Sequence, residues 1–210
     1  MSYDSISPEV VHDALKPYGI DAAPRLCASI RQYLDLLKRW NQRISLTSVR
    51  GTDAMLRLHF GESFWATNLV DFGKSRLADV GSGPGFPGLA LKLVCPDLHV
   101  TLIESNAKKA AFLAEVARTL DLKDVEIFRG RAETWVPDGR HFDFMTARAV
   151  GNFPALLDWG ASYLSPGGRA LLWVGLDAMP HLHVDSRWSW QEPSLIPGSQ
   201  QRYIVVGSLL

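Results

Sequence analysis

Apolar positions in the first third of the chain recur at the spacing of amphipathic helices. In the segment RLCASIRQYLDLLKRWNQ they fall three or four residues apart, as at Ile30, Leu34 and Leu37. Upstream, Ser7 precedes Pro8, an order typical of a helix start, with serine as the cap and proline in the first turn. No strand-like alternation interrupts this part of the chain, so we predict a helical N-terminal region.

From residue 77 the pattern changes to short apolar runs separated by helical segments. The runs RLADVG, HVTLIE, VEIF, FDFMTARAV and RALLWVG predict five strands, and the segments between them predict helices. This alternation is typical of a doubly wound, Rossmann-like parallel sheet of the α/β class. The tail SRWSWQEPSLIPGSQQRYIVVGSLL has two strand-like runs with no helix between them, which predicts an antiparallel hairpin. We expect a helical extension over residues 1–70 and the sheet domain over residues 71–210.

Composition narrows the function classes. The chain has 210 residues, 47% hydrophobic and 21% charged, with a formal net charge of zero, so neither disorder nor a uniformly basic surface is expected. Its two cysteines, Cys27 and Cys95, are far apart and form no metal-binding spacing. The first residues lack the basic and then apolar pattern of a secretory leader, so none is expected, and no apolar stretch has membrane-spanning length. We therefore expect a cytoplasmic protein that binds no metal and does not enter a membrane.

The glycine-rich stretch DVGSGPGFPG follows the first predicted strand, where doubly wound sheets bind ligands. Gly83, Gly85 and Gly88 match the dinucleotide pattern G-x-G-x-x-G, so a nicotinamide cofactor is one candidate. However, Asp79 and the Gly81-x-Gly83-x-Gly85 spacing match the D-x-G-x-G-x-G loop of S-adenosylmethionine-dependent methyltransferases. A carboxylate beside the loop opposes an anionic pyrophosphate and favours the ammonium and sulfonium of S-adenosylmethionine. We therefore favour S-adenosylmethionine over NAD.

Two further strand ends carry candidate cofactor contacts. Glu104, followed by Ser105, ends the second strand about twenty residues after the glycines, where an acid binds ribose hydroxyls in both cofactor classes. Ala132 and Glu133 follow the third strand, where methyltransferases place a residue near the adenine amino group. An exposed loop acid is the alternative for Glu133.

The acceptor is constrained by what the fourth strand end lacks. The segment TARAV has no [D/N]-P-P-[Y/F] motif, which is typical of enzymes that methylate exocyclic amines of bases. Cys95 lies after the first sheet helix and is expected to pack as a small apolar residue rather than act as a nucleophile. An acceptor atom that already has a lone pair, such as guanine N7, needs no general base, so positioning can supply most of the catalysis. No catalytic residue is firmly predicted.

Several motifs occur together in the order of one known family. The segments RWNQRISLTSVR and LRLHFGESFW precede DVGSGPGFPG, whose F-P-G ending is more specific than the general loop, and ESNAKKAAFL, RAE and RAV follow it. Over roughly residues 30–170 the chain resembles the RsmG (GidB) family, bacterial methyltransferases that act on guanine N7 of small-subunit ribosomal RNA. The chain departs from the family pattern at two positions. Family members often have Asn where this chain has Ser45, and Lys where it has Val174.

The resemblance implies roles for individual residues. It places Gly81 and Phe86 at the cofactor, Ala132 and Glu133 near the adenine, and Arg148 at the cofactor or substrate side. Arg148 is also the one possible catalytic residue. The implied substrate is 16S ribosomal RNA, free or within the 30S subunit, and we expect the protein to act as a monomer.

The N-terminal region also favours RNA binding. Residues 25–57 contain seven basic and two acidic residues, a formal charge of +5 in a chain that is neutral overall. The candidate RNA-contacting residues are Arg39, Asn41, Arg43, Thr47, Arg50 and His59. From charge alone, ordinary solvated helix faces are the alternative. A methyltransferase for a small molecule or a protein, and a non-catalytic nucleotide-binding module, are the alternative functions.

Overall fold

A single mixed β-sheet organises the chain. The computed structural model describes residues 6–135, 139, 141–149, 151–182 and 185–210. In these residues the sheet has eight strands: β1 (Arg76–Val80), β2 (His99–Ile103), β3 (Val125–Phe128), β4 (Phe142–Arg148), β5 (Leu164–Gly175), β6 (Trp188–Trp190), β7 (Ser194–Leu195) and β8 (Arg202–Leu209). The order is β3-β2-β1-β4-β5-β8-β6, with β7 also paired to β8. Strands β1 to β5 run parallel to one another, and β8 is antiparallel to β5, β6 and β7.

The strand register brings the carboxyl ends of the central strands level. Val80 at the end of β1 pairs with Ile103 of β2 on one side and Ala147 of β4 on the other, and Ile103 pairs with Phe128 of β3. Strand order reverses between β1 and β4, because β2 and β3 extend to one side and β4 and β5 to the other. A cleft at this point is the usual ligand site of such sheets.

Helices cover both faces of the sheet. The N-terminal region forms α1 (Pro8–Leu15), α2 (Pro24–Asn41), α3 (Thr52–Met55), a π-helical segment (Leu56–Gly61) and α4 (Glu62–Phe64). The sheet domain contributes α5 (Gly88–Val94), α6 (Ala107–Thr119) and α7 (Phe153–Tyr163). Ser7 caps α1 by accepting from the Val10 amide, and the Asn106 side chain caps α6.

Alternate strand residues enter two different cores, as the period of two in a strand requires. On β1, Leu77 packs with α2, α5 and α6 in one core, whereas Ala78 and Val80 pack with α7 in the other. The N-terminal helices therefore share a core with the sheet helices α5 and α6. The predicted boundary between residues 70 and 71 stays a prediction.

The predicted fold class is confirmed, including the antiparallel hairpin, in which β8 inserts between β5 and β6. Three local features differ from the sequence analysis. The Ser-Pro-Gly-Gly segment Ser165–Gly168, a composition typical of a turn, lies within β5, where a register shift between Phe142 and Phe144 of β4 accommodates it. The apolar residues after Asp53 favour a helix, but its π form over Leu56–Gly61 was not predicted, and neither was the 3₁₀ turn at Leu176–His181. Within the described residues, no helix is both long and apolar enough to cross a membrane.

Candidate active site

The glycine loop between β1 and α5 has a backbone that requires glycine. Gly81, Gly83 and Gly85 have φ values of +74°, +54° and +89°, a region that L side chains rarely adopt. At Gly85 a Cβ atom would lie 2.2 Å from the hydroxyl oxygen of Tyr33, which donates a hydrogen bond to the Pro84 carbonyl. The three glycines thus bring bare backbone to the carboxyl edge of the sheet, where a ligand can approach closely.

The buried side chain of Asp79 holds this loop in place through hydrogen bonds. Its side chain is 1% exposed; Oδ1 accepts from Thr146 Oγ1 at 2.8 Å and Oδ2 accepts from the Gly88 amide at 3.2 Å. Burial raises the pKa of Asp79 to about 6, and the hydrogen bonds from Thr146, Ser82 and Gly88 oppose that rise. The structure therefore places Asp79 between β4 and the start of α5, and its predicted influence on a cofactor ammonium stays a prediction.

Glu104 holds the loop from the neighbouring strand. Its Oε2 accepts from the Gly83 amide at 2.9 Å and its Oε1 accepts from the Asn106 amide at 2.7 Å. A carboxylate has about four acceptor positions, so this one can also accept from a ligand hydroxyl. Ser105, the next residue, is exposed at the same edge.

The third strand end carries the Ala132–Glu133 pair. These residues lie in a 3₁₀ turn (Ala132–Thr134), where Glu133 is exposed. The Ala132 carbonyl accepts from the indole nitrogen of Trp159 at 2.9 Å, which ties the turn to α7. The structure thus brings the predicted adenine contacts to the same sheet edge as Glu104.

Arg148, at the end of β4, lies in a network of charges around the buried carboxylate of Glu62. Its Nη2 is 3.0 Å from Glu62 Oε2, and its Nη1 donates to the Leu58 carbonyl at 2.7 Å. Glu62 is 1% exposed and also accepts from Arg202 Nε at 2.7 Å, while its carbonyl accepts from Trp173 Nε1. Burial lowers the pKa of Arg148, and the Glu62 carboxylate opposes that effect.

Two adjoining cavities open beside this network at the ends of β4 and β5. One, of about 180 Å³, is lined by Glu62, Arg148 and Arg202; the other, of about 430 Å³, by Phe153 and Asp177 among others. Val174, the residue that departs from the family lysine, lines both.

Phe86 connects the glycine loop to the N-terminal helices. Its ring stacks on Tyr33, with centroids 5.2 Å apart, and on His59, with centroids 4.6 Å apart. His59 Nε2 lies 3.0 Å from Thr47 Oγ1, while Nδ1 is buried without a hydrogen-bond partner in the described residues. Burial, and secondarily the charge of Arg148, lowers the pKa of His59 to about 4, so the imidazole is neutral at pH 7.

The six candidate RNA residues separate into two groups. Asn41 accepts from the amides of Leu46 and Thr47 and donates to the Thr47 carbonyl, which also accepts from Arg50. His59 also lies within hydrogen-bond distance of Thr47. Asn41, Thr47, Arg50 and His59 therefore form one connected network that supports the loop after α2. Arg39 and Arg43 lie apart from it, in a surface groove.

Sequence reasoning missed several residues that build the site. Tyr33 was predicted only as part of an apolar helix face, and Thr146 only as a strand residue. Glu62 lies inside the motif LRLHFGESFW, so that motif was the available indication of its importance. No sequence signal indicated Arg202, because its partner Glu62 lies on a helix that is distant in sequence.

Comparison with known proteins gives a consistent result. The family described as rRNA small subunit methyltransferase G (GidB) matches residues 26–190. A protein of that name from Chloroflexus aggregans is 36% identical over 200 residues, covering 90% of this chain and 84% of the relative. Its namesake from Xanthomonas euvesicatoria is 34% identical over 215 residues, covering 98% of both chains.

Solved structures support the fold. A putative O-methyltransferase from Klebsiella pneumoniae superposes with a TM-score of 0.67 at 13% identity, covering 96% of this chain and 94% of that one. A SAM-dependent methyltransferase from Aquifex aeolicus superposes with a TM-score of 0.61 at 13% identity, covering 72% of this chain and 90% of that one. At such identities these likenesses show the architecture alone.

Proposed function

Because the chain belongs to the rRNA small subunit methyltransferase G family, we propose that it transfers a methyl group from S-adenosylmethionine to N7 of a guanine in 16S ribosomal RNA. The observation that carries this proposal is the glycine loop: three left-handed glycines at the carboxyl edge of the sheet, held by Asp79 and Glu104. Their positive φ values favour glycine at all three positions, and at Gly85 a side chain would also collide with Tyr33 and Leu89 behind the loop.

The residues at this edge fit S-adenosylmethionine. The backbone at Gly81, Gly83 and Gly85 allows close approach of its methionine part, and Glu104 has acceptor capacity left for the ribose hydroxyls. Ser105, Ala132 and Glu133 extend the same edge toward the adenine. Phe86 and Arg148 would border the loop on the side of the N-terminal helices. When bound, S-adenosylmethionine supplies an electrophilic methyl group on its sulfonium.

The acceptor side fits a base that needs no proton removal. Guanine N7 has a lone pair of its own, and the histidine nearest the loop, His59, is buried and 6% exposed rather than open to a substrate. Arg148 carries a charge that Glu62 offsets. Positioning alone can supply roughly 7–11 kcal/mol of barrier reduction. The cavities beside Arg148 and Trp173 are where we place the target base, displaced from its stack.

The remaining expectations complete the proposal. We place the protein in the cytoplasm with its ribosomal substrate, acting as a monomer and without a metal ion. Among the described residues no group of three or more His, Cys, Asp or Glu side chains could hold a metal. Residue contacts with RNA are proposed for Arg39 and Arg43, whereas Asn41, Thr47, Arg50 and His59 are proposed to shape the adjoining loop.

The test is methylation of undermethylated 30S subunits with S-adenosylmethionine labelled on its methyl group. We expect label in 16S ribosomal RNA, and digestion to nucleosides should release 7-methylguanosine, identified by mass. Label in another nucleoside would contradict N7 of guanine. Label in protein or in a small molecule, or cofactor binding with no transfer to any acceptor, would favour the alternative functions.

A further inference from the structure

A surface groove lies between the end of α2 and the first turns of α6. It has a volume of about 530 Å³ and is lined by Arg39, Trp40, Gln42, Arg43, Ile44, Lys108 and Glu115. Its Lys108 lies four residues beyond Glu104, on the helix that begins at the proposed cofactor edge.

The groove has an excess of unpaired positive charge. Arg39, Arg43 and Lys108 are all exposed, and none forms an ion pair with a described residue. The acid in the lining, Glu115, accepts from the indole nitrogen of Trp40 at 2.8 Å, so it is fixed against the groove wall. Arg57 and Lys123, by contrast, pair with Asp53 and Asp121 on the surface.

Both walls of the groove are also supports of the glycine loop. On α2, Tyr33 stacks on Phe86 of the loop, and Trp40 follows seven residues later, about 10 Å along the helix axis. On α6, the first amides are capped by Asn106, whose own amide is bound by the Glu104 carboxylate that holds Gly83. The cations are thus fixed relative to the loop by two rigid helices.

We propose that this groove binds the sugar–phosphate backbone of the RNA strand that flanks the target guanine. This inference rests on the proposed function and adds a place and a chemistry to the RNA contact. Exposed arginine and lysine side chains neutralise phosphates without reading bases, so they contribute affinity and position rather than sequence choice. Lys108 joins Arg39 and Arg43 as an RNA contact.

The test compares two double variants with equal charge loss on the same two helices. Arg39→Gln with Lys108→Gln removes charge from the groove, whereas Arg25→Gln with Arg118→Gln removes charge from exposed positions at the far ends of α2 and α6. Binding of protein-free 16S ribosomal RNA is measured over a series of salt concentrations. We expect the slope of log affinity against log salt to fall by about 1 for each groove cation removed, and not for the control.

Two further measurements complete the design. The dissociation constant for S-adenosylmethionine should match the wild type in both variants, while the KM for 30S subunits should rise about tenfold in the groove variant. An unchanged slope and KM in that variant would overturn the groove, while methylation by the wild type would leave the proposed function standing. A slope change with intact subunits but not with protein-free RNA would overturn it in favour of a ribosomal protein contact. No transfer to RNA by the wild type would contradict the proposed function, whatever the binding slopes.

Discussion

The buried Glu62 carboxylate and the partly buried Arg148 guanidinium form an ion pair, 3.0 Å apart, between a helix of the N-terminal region and the end of β4. Arg148 also donates to the Leu58 carbonyl in the π-helical segment, the residue before His59, whose ring stacks on Phe86. π-helical turns in proteins often mark functional sites. The pair therefore links the charge network at the sheet edge to the aromatic stack that supports the glycine loop.

Glu62→Gln should destabilise the fold. The substitution leaves the partly buried Arg148 guanidinium without its counter-charge and weakens the contact with Arg202. Removing one partner of a fully buried pair typically costs about 3–5 kcal/mol in the free energy of unfolding. Because Arg148 is 23% exposed, we expect a loss below that range but larger than that of a surface pair. Urea denaturation would measure it.

The matched control is Asp53→Asn, which breaks the exposed ion pair with Arg57. Such surface pairs contribute about 0–1 kcal/mol. Similar losses for Glu62→Gln and Asp53→Asn would show that the buried network does not stabilise the fold as argued.

Glu104→Ala should weaken S-adenosylmethionine binding about 10- to 100-fold, because hydrogen bonds to a charged acceptor contribute roughly 1.5–3 kcal/mol. The same change removes the acceptor for the Gly83 and Asn106 amides, which loosens the loop itself. Isothermal titration calorimetry would measure the dissociation constant.

Glu104→Gln keeps the size and one acceptor, and should lie between wild type and alanine. A dissociation constant unchanged in Glu104→Ala would rule out the ribose role. Measuring the unfolding midpoint of each variant separates lost ligand contacts from lost fold.

Gly85→Ala should abolish cofactor binding. Gly85 has φ +89°, and its new Cβ would lie 2.2 Å from Tyr33 Oη, so both the backbone and the packing against α2 must change. Gly198→Ala is the control, since Gly198 has φ +75° with no atom within 4 Å of a Cβ. That variant carries the backbone strain alone, about 1–2 kcal/mol.

Adding Tyr33→Phe to Gly85→Ala removes the clashing hydroxyl and should recover part of the lost stability. If Gly85→Ala binds S-adenosylmethionine as the wild type does, the close approach of the loop backbone is not required.

Hydrophobic periodicity predicted the architecture because the central strands and the longer helices have strong local patterns. The glycine loop was predictable for the same reason: it is contiguous, and its spacing is characteristic. The Ser7 cap was also predictable, since a cap acts on amides only a few residues away.

The supporting contacts could not be predicted from sequence alone. Thr146 on Asp79, and Arg202 on Glu62, join elements that are brought together only by the sheet order. Asn41 illustrates the converse. Its motif position suggested an RNA contact, whereas its amide group is engaged with Leu46 and Thr47.

Asp79 and His59 should change stability with pH in opposite directions. The pKa of Asp79 is raised to about 6, above the unfolded value near ~3.9, so its contribution to the free energy of unfolding falls as pH rises from about 4 to about 6. The pKa of His59 is lowered to about 4, below the unfolded value near ~6.5, so its contribution falls as pH drops across that interval. In the wild type the two effects partly cancel.

The variants Asp79→Asn and His59→Gln separate the two contributions to the pH dependence of stability. Between pH 4 and 6, the stability of the wild type relative to Asp79→Asn should fall as pH rises, by on the order of 3 kcal/mol. The stability relative to His59→Gln should rise over pH 4 to 6.5, because only the unfolded wild type takes up the histidine proton. Chemical denaturation at half-unit pH steps measures both. A flat difference for Asp79→Asn would mean that its carboxylate is as well solvated as in the unfolded chain, contrary to its burial between Thr146 and Gly88.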